Sequence, residues 1–243
     1  MKAMIFSAGF GKRLLPITAT IPKALVTIKG RPALDWIITF LIQSGISEIF
    51  INTHYLADQV ESFIKNKKYE IPVTIIFEEK ILGTGGGLYN TRKRWGKSDI
   101  YICNVDILCD FDLKEFFKYH LLNKGKITLA VNDIQSSSML IVDEQQNLCG
   151  WFKNGTQLFY REPRGNVTRK GFCGMHLFNA SLFNQMKTPP FESIIDQYME
   201  WIRTGILVKT WSIGDRYWID MGTPATLKQA EQTFKGYGSY SPS

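Results

Sequence analysis

Ser7-Ala8-Gly9-Phe10-Gly11-Lys12-Arg13-Leu14 follows directly on the apolar run Ala3-Met4-Ile5-Phe6, and Pro22-Lys23-Ala24-Leu25 comes a short loop later. An apolar run that breaks into small residues predicts a buried first strand ending in a glycine turn. Backbone N–H groups gather in such a turn with no side chain in the way, which makes an anion-binding concavity. Arg13 adds a planar fork for phosphate oxygens, and Lys23 a movable point charge. The stretch fits a polyphosphate, although a Gly-x-Gly taken alone reads equally as a mere turn. Two better-known phosphate loops are excluded. A Walker loop needs glycine where Phe6 stands and Ser or Thr where Arg13 stands. The dinucleotide fingerprint needs its third glycine where Leu14 stands, and no acidic residue follows a second strand at the expected place.

Outward from this turn, strand and helix patterns alternate. Leu34, Ile37, Ile38, Leu41 and Ile42 recur at helical spacing up to Gly45, then Glu48–Asn52 reads as a strand. Ala57, Val60, Phe63 and Ile64 mark a second helix, and Val73–Phe77 a β-branched strand. A βαβαβ order implies a mostly parallel sheet with right-handed crossovers and a ligand crevice at the carboxyl ends of its strands. Gly83-Thr84-Gly85-Gly86-Gly87 then opens a helix, and Ile100–Cys103 forms a strand ending in Asn104-Val105-Asp106. Asp112 with Glu115 reads as a capping box for a helix closed near Gly125, and Ile127–Val131 is the next strand. From Asp133 to Lys170 the rhythm changes to a hairpin, Met139–Val142 with Leu148–Phe152, and then an Arg-, Gly- and Pro-rich loop. We read this as an inserted β-rich acceptor lobe or lid. A strand near Cys173–Phe178, a helix over Ser193–Arg203 and a strand over Leu207–Ser212 follow. Thr223 and Pro224 suit the N-cap and first position of a last helix. The expected fold is α/β, an open, mostly parallel but mixed Rossmann-like sheet flanked by helices. Residues 1–235 form one domain, with a flexible tail over 236–243.

At 243 residues the chain buries an ample core, and its 44% hydrophobic and 21% charged residues are ordinary for a soluble globule. No apolar run approaches the roughly 20 residues that span a bilayer, and the N-terminus does not read as a signal peptide. The cytoplasm is the expected location, with no membrane partner. The net charge of +7 is spread along the chain without a basic tract. That pattern argues against nucleic acid and for a basic cleft taking small anions. Cys103, Cys109, Cys149 and Cys173 show no metal spacing and read as reduced, buried thiols.

Asp106 ends an apolar strand where open α/β sheets bind ligands, and Asp220 sits after Tyr217-Trp218-Ile219 and before a glycine. Each also reads as a turn or capping aspartate. If they converge, they could share one Mg²⁺, which takes oxygen ligands and completes its shell with water and phosphate. The Gly83–Gly87 backbone is bare enough for a base or sugar to approach closely. His54, His120 and His176 are widely separated and read mainly as packing residues. Asn52, Glu78 and Glu79 flank the expected cleft as polar candidates.

These stretches together resemble the nucleotidyltransferase family that makes nucleotide sugars from a nucleoside triphosphate and a sugar 1-phosphate. The likeness covers most of the chain. It is carried by Ala8–Thr18, Pro22–Leu25, Leu82–Gly87, Asn104–Asp106 and Asp220–Pro224, with Lys12, Ala24 and Val105 departing from the usual residues. The resemblance implies that Ala8, Gly9, Gly11 and Arg13 hold the triphosphate and that Lys23 neutralises the reacting phosphates. Gly83, Thr84, Gly85 and Gly86 would lie against the nucleoside, and Asp106 and Asp220 would hold Mg²⁺. Arg13, Lys23 and Asp106 would carry catalysis, with Asn104, Glu162, Gly174 and Asn179 as candidates for the sugar phosphate. Within the family, Asn52–Val60, Asn104–Leu108 and Leu148–Trp151 look most like compact bacterial enzymes that transfer uridylyl to N-acetylmuramate 1-phosphate in cell-wall recycling. Guanylyltransferases for mannose or heptose 1-phosphates, phosphocholine cytidylyltransferases and a non-catalytic nucleotide-sensing subunit remain alternatives. A monomer or small homo-oligomer without a β-helical extension is expected.

Overall fold

The computed structural model describes residues 1–123, 125–187, 190 and 192–237. In chain order the elements are β1 (Lys2–Phe6), β2 (Thr27–Ile28), β3 (Arg31–Pro32), α1 (Ala33–Gln43), β4 (Glu48–Thr53), α2 (Ala57–Lys67), β5 (Val73–Phe77) and α3 (Gly83–Asn90). Then come β6 (Asp99–Asn104), β7 (Ile107–Cys109), α4 (Leu113–Leu122), β8 (Ile127–Asn132), β9 (Ser138–Asp143), β10 (Leu148–Lys153), β11 (Thr156–Phe159) and β12 (Val167–Asn179). The last are α5 (Ile194–Arg203), β13 (Lys209–Ser212), β14 (Trp218–Asp220) and α6 (Pro224–Thr233).

The chain divides into two compact units. The first comprises Met1–Leu82, Ile102–Phe111 and the chain from Tyr217; the second comprises Gly83–Tyr101 and Asp112–Arg216. In the first unit the strand order is β6-β1-β4-β5, with β1, β4 and β5 parallel. Ala3, Met4 and Ile5 of β1 and Ile49 and Ile51 of β4 are fully buried, as are Leu34, Ile38 and Leu41 of α1. Continuous apolar strands of this kind are what a parallel sheet covered on both faces requires. A satellite cluster joins Ile28, Ala33, Leu108, Ile219, Met221, Ala230 and Phe234. Tyr237 adds to it, stacking on Phe40 with ring centroids 5.0 Å apart. The packed chain therefore continues past Gly236, where a loose tail was expected; residues 238–243 lie outside the described residues.

The second unit is mainly antiparallel. β9 and β10 form the expected hairpin, β11 extends it, and β12 pairs with β9 and with β8. β13 runs parallel to its neighbour β8. Residues 133–170 thus supply three strands and the start of a long fourth, β12, where the sequence reading placed a loop. Among the described residues no helix is long and apolar enough to cross a membrane.

Local signals behave as physics requires, with one correction. Thr223 accepts from Thr226 N–H, and the reciprocal bond completes a capping box with Pro224 at N1. Asp112 caps α4 through Lys114 N–H (2.7 Å), but the expected partner Glu115 pairs with Arg216 instead (2.6 Å). The cap is real and the box is not. All four cysteines are buried and none forms a disulfide; burial pushes the Cys103 thiol up to about 12 and that of Cys149 to about 11.

Candidate active site

β1 ends at Phe6, and the chain turns through Ser7–Gly11 into a short 3-10 turn, Lys12–Leu14. Gly11 has φ +65°, and a Cβ there would stand 2.9 Å from Thr18 Cγ2. Glycine is required at that position on both counts. Gly9 is different: a Cβ on it would meet nothing within 4 Å. Gly9 is exposed, whereas Ala8 is buried. The return loop is clamped on the turn by Thr18 Oγ1, which donates to the Gly11 carbonyl (2.8 Å). From the far side, Tyr55 OH donates to the Thr18 and Ala19 carbonyls and Gln59 Nε2 to that of Thr20. Pro22 then presents Lys23 at the start of another short turn, with Leu25 N–H donating to the Pro22 carbonyl.

Asp106 and Asp220 are distant in sequence, and a two-stranded ribbon brings them together. β7 pairs antiparallel with β14 so that Asp220 faces Ile107, and Met221 N–H donates to the Asp106 carbonyl (2.9 Å). Lys23 Nζ donates to Asp106 Oδ2. Arg13 Nη2 lies 3.9 Å from Asp106 Oδ2 and 3.7 Å from Asp220 Oδ2, so one guanidinium serves both carboxylates. Leu14, Val26, Ala33, Met221 and Leu227 form an apolar floor around Lys23 and Asp106. The Asp106 side chain is 9% exposed and that of Arg13 is 62% exposed. The anionic centre is sheltered, while its cationic partner reaches into solvent. Burial, and then the neighbouring Asp106 charge, push the Asp220 carboxyl above its ordinary range.

Gly222 completes the corner. Its N–H donates to Asp220 Oδ1 (2.6 Å), and a Cβ there would collide with Arg13 Nη2 and Asp220 Oδ1. The sequence reading gave this residue no role, although its position two residues after an acidic candidate was the available signal. Val105, one of the departures from the pattern of the resembled family, is buried and donates its N–H to the Phe6 carbonyl (3.1 Å). Its φ is not among the positive values in the chain, so no glycine is needed there.

The first unit therefore gathers Gly9, Gly11, Arg13, Lys23, Asp106 and Asp220. Asn104 is half-buried at the end of β6, two residues before Asp106. The remaining candidates belong to the second unit. Gly83 has φ +69° and starts α3, where a Cβ would collide with the Glu192 carbonyl. Gly85 N–H donates to that carbonyl (2.9 Å), and Thr84 Oγ1 accepts from Ile194 N–H (2.9 Å). These contacts give Gly83 and Gly85 a packing reason. Gly174 is buried with φ +71°, within the irregular register of β12. Asn179 donates to Asp99 (2.6 Å) and caps Ser181 N–H (3.0 Å), so both ends of its amide are engaged. Glu162 is exposed.

His120 and His176 are buried, as expected of packing residues, and His54 is half-buried. His120 is buried between Thr128 (2.7 Å) and Asp99 (3.4 Å), and His176 is buried against Tyr198. His54 Nδ1–H donates to the Glu78 carbonyl (2.8 Å). Among the described residues no cluster of three or more His, Cys, Asp or Glu side chains forms a metal site. The Asp106 and Asp220 pair is a two-carboxylate donor set of the kind Mg²⁺ accepts when phosphate and water complete its shell.

The chain is 25% identical to the D-glycero-alpha-D-manno-heptose 1-phosphate guanylyltransferase of Aneurinibacillus thermoaerophilus, over 98% of this chain and all of that protein. It is 29% identical to the mannose-1-phosphate guanyltransferase of Debaryomyces hansenii, over 92% of this chain and 62% of that protein. It thus spans about three-fifths of the length of such mannose enzymes. Among solved structures, HddC from Yersinia pseudotuberculosis superposes with a TM-score of 0.78 at 23% identity, covering 96% of this chain and 99% of that one. UTP-bound UGPase from Acinetobacter baumannii gives 0.77 at 17% identity, covering 95% and 92%. These likenesses establish a shared α/β fold. Residues 2–139 match the model of one family over more than half the chain, and the protein belongs to that family, nucleotidyl transferase.

Proposed function

We propose that the protein transfers a nucleotidyl group from a nucleoside triphosphate to a sugar 1-phosphate, releasing pyrophosphate. The observation that carries this reading is the convergence of Arg13, Lys23, Asp106 and Asp220 beside a bare glycine turn. In this reading the Gly9 and Gly11 backbone and Arg13 bind the triphosphate, and Lys23 stands at the reacting phosphates. A sugar-phosphate oxygen attacks the α-phosphorus, the bond to the β-phosphate bridging oxygen breaks, and pyrophosphate leaves. A phosphate monoester is already nucleophilic at neutral pH, so no general base is needed. Alignment and charge neutralisation supply the acceleration. Asp106 and Asp220 are the residues that would hold Mg²⁺, and the ion when bound would offset charge on the phosphates. Lys23 and Arg13, which neutralise the carboxylates in this structure, would then be released toward phosphate oxygens.

For the substrates, we propose GTP and a heptose or mannose 1-phosphate. The support is the name carried by a relative matched along its whole length and by the mannose enzymes. We favour this over the uridylyl transfer to N-acetylmuramate 1-phosphate expected from short sequence phrases, because the relatives matched above are named as guanylyltransferases. The test is pyrophosphate release measured for GTP, UTP, CTP and dTTP against heptose, mannose, glucose and N-acetylmuramate 1-phosphates, with and without Mg²⁺. Preference for GTP with a heptose or mannose acceptor is expected. Preference for UTP with N-acetylmuramate 1-phosphate would overturn the substrate assignment, and no release with any pair would overturn the activity.

A further inference from the structure

Glu78 is 2% exposed, and each of its polar groups is engaged within the first unit. Its N–H donates to the Thr53 carbonyl (2.8 Å), and its carbonyl accepts from His54 Nδ1–H (2.8 Å). Glu78 Oε1 accepts from Asn52 Nδ2 (2.8 Å), and Oε2 from Leu82 N–H (3.0 Å). Asn52, also 2% exposed, uses its Oδ1 to accept from Ser7 N–H (2.9 Å). A continuous hydrogen-bonded chain therefore runs from Ser7 through the buried Asn52 and Glu78 to Leu82, whose own side chain is exposed. Ser7 is the first residue of the glycine turn beside Arg13, and Leu82 immediately precedes Gly83. No ion pair to Glu78 occurs among the described residues, so two neutral N–H donors are all that its carboxylate oxygens meet.

We propose that the Asn52–Glu78 bridge is a positioning device for nucleotide binding, setting the spacing between the start of the first glycine turn and the chain that enters the second glycine run. Glu78, one of the polar cleft candidates, touches no substrate in this role. A carboxylate is needed because both facing groups are donors. An amide at position 78 places an N–H against one of them. Asn52 cannot turn to compensate, since rotation of its amide breaks the bond from Ser7. The loss of one buried hydrogen bond within a positioning network moves the turn rather than the reacting groups, so nucleotide affinity suffers more than the chemical step.

This inference rests on the nucleotidyltransferase reading, and a reciprocal exchange tests it. Glu78→Gln loses one acceptor, and Asn52→Asp sets two acceptors against each other. The double variant restores every bond: the carboxylate at 52 accepts from Ser7 N–H and from the amide at 78, whose oxygen accepts from Leu82 N–H. GTP and UTP affinities are measured by titration calorimetry, alongside KM, kcat and the melting midpoint. Each single variant is expected to weaken nucleotide affinity and raise KM about tenfold with kcat little changed, and the double variant to recover. Unchanged affinity in both single variants, or a double variant no better than the worse single, would overturn the proposal. A parallel fall in kcat and melting midpoint without a selective rise in KM would also overturn it. A wild-type protein that binds neither nucleotide would overturn the nucleotidyltransferase reading itself, and this inference with it.

Discussion

The two glycine-rich stretches look alike in sequence and differ in the folded chain. The turn at Gly9–Gly11 keeps Gly9 exposed with open space around it, and the charged groups of the site gather at its edge. The run at Gly83–Gly87 is packed: Gly85, Gly86 and Gly87 are buried, and Gly83 and Gly85 lie tight against the Glu192 backbone. A bare backbone is open to a ligand where nothing covers it, and serves close packing where another segment does. The same contrast holds for the polar side chains. Those of Arg13, Lys23, Asp106 and Asp220 meet one another, whereas Asn179 and His120 are committed to neighbouring elements.

Four measurements bear on this difference between the two stretches. The largest effect belongs to Asp106→Asn, which should lower the rate of pyrophosphate release about 10²- to 10³-fold while the circular dichroism spectrum stays native. Gly222→Ala comes next, because the added methyl forces Arg13 and Asp220 apart. Turnover should fall roughly 10- to 10²-fold, as expected when charged groups at a reacting centre are misplaced by about 1 Å.

The third measurement is a matched pair. Gly83→Ala puts a side chain at φ +69° into the Glu192 backbone, and urea unfolding should show about 1–3 kcal/mol of lost stability. Gly9→Ala should change stability by no more than about 0.5 kcal/mol and instead weaken nucleotide binding. Equal destabilisation of the two variants would break the comparison.

The fourth measurement concerns His176, whose ring nitrogens have no hydrogen-bond partner among the described residues and whose burial lowers its pKa from 6.5 to about 3. The unfolded chain takes up a proton at this residue below pH 6.5, while the folded chain resists until about pH 3. Stability contributed by the neutral ring is therefore full above pH 6.5 and is lost as the pH falls toward 3, by at most about 1.4 kcal/mol per pH unit. His176→Phe should flatten that acid limb in melting curves recorded from pH 7 to 5 and leave nucleotide affinity at pH 7.5 unchanged.

Much of this molecule was legible because local rules sufficed. The periodic runs at Leu34–Ile42 and Val73–Phe77 and the cap at Thr223 report short-range geometry, and each stands where its pattern put it. β7 was missed because three residues after a turn carry no period, and its partner β14 is far away in the chain. That omission mattered, since the β7–β14 register is what sets Asp106 beside Asp220. β11 was missed for a related reason: all four of its residues are exposed, so no alternation of burial marks it as a strand. Residue type and motif pointed to Arg13, Lys23 and both aspartates. Gly222 carried only its place two residues after Asp220, and the engagement of Glu78 by Asn52 and Leu82 required coordinates, because saturation of hydrogen-bond acceptors leaves no signature in sequence.

The β7–β14 ribbon also has a temporal meaning. Synthesis runs from the N-terminus, and domains begin to form as the chain emerges. The glycine turn, Lys23 and Asp106 are all made long before Asp220 and Met221. Until that late segment arrives, Asp106 lacks the Met221 N–H on its carbonyl and Arg13 lacks its second carboxylate. The acidic pair thus closes only once the chain has been made through β14, and a product that ends before it carries the glycine turn without the paired carboxylates.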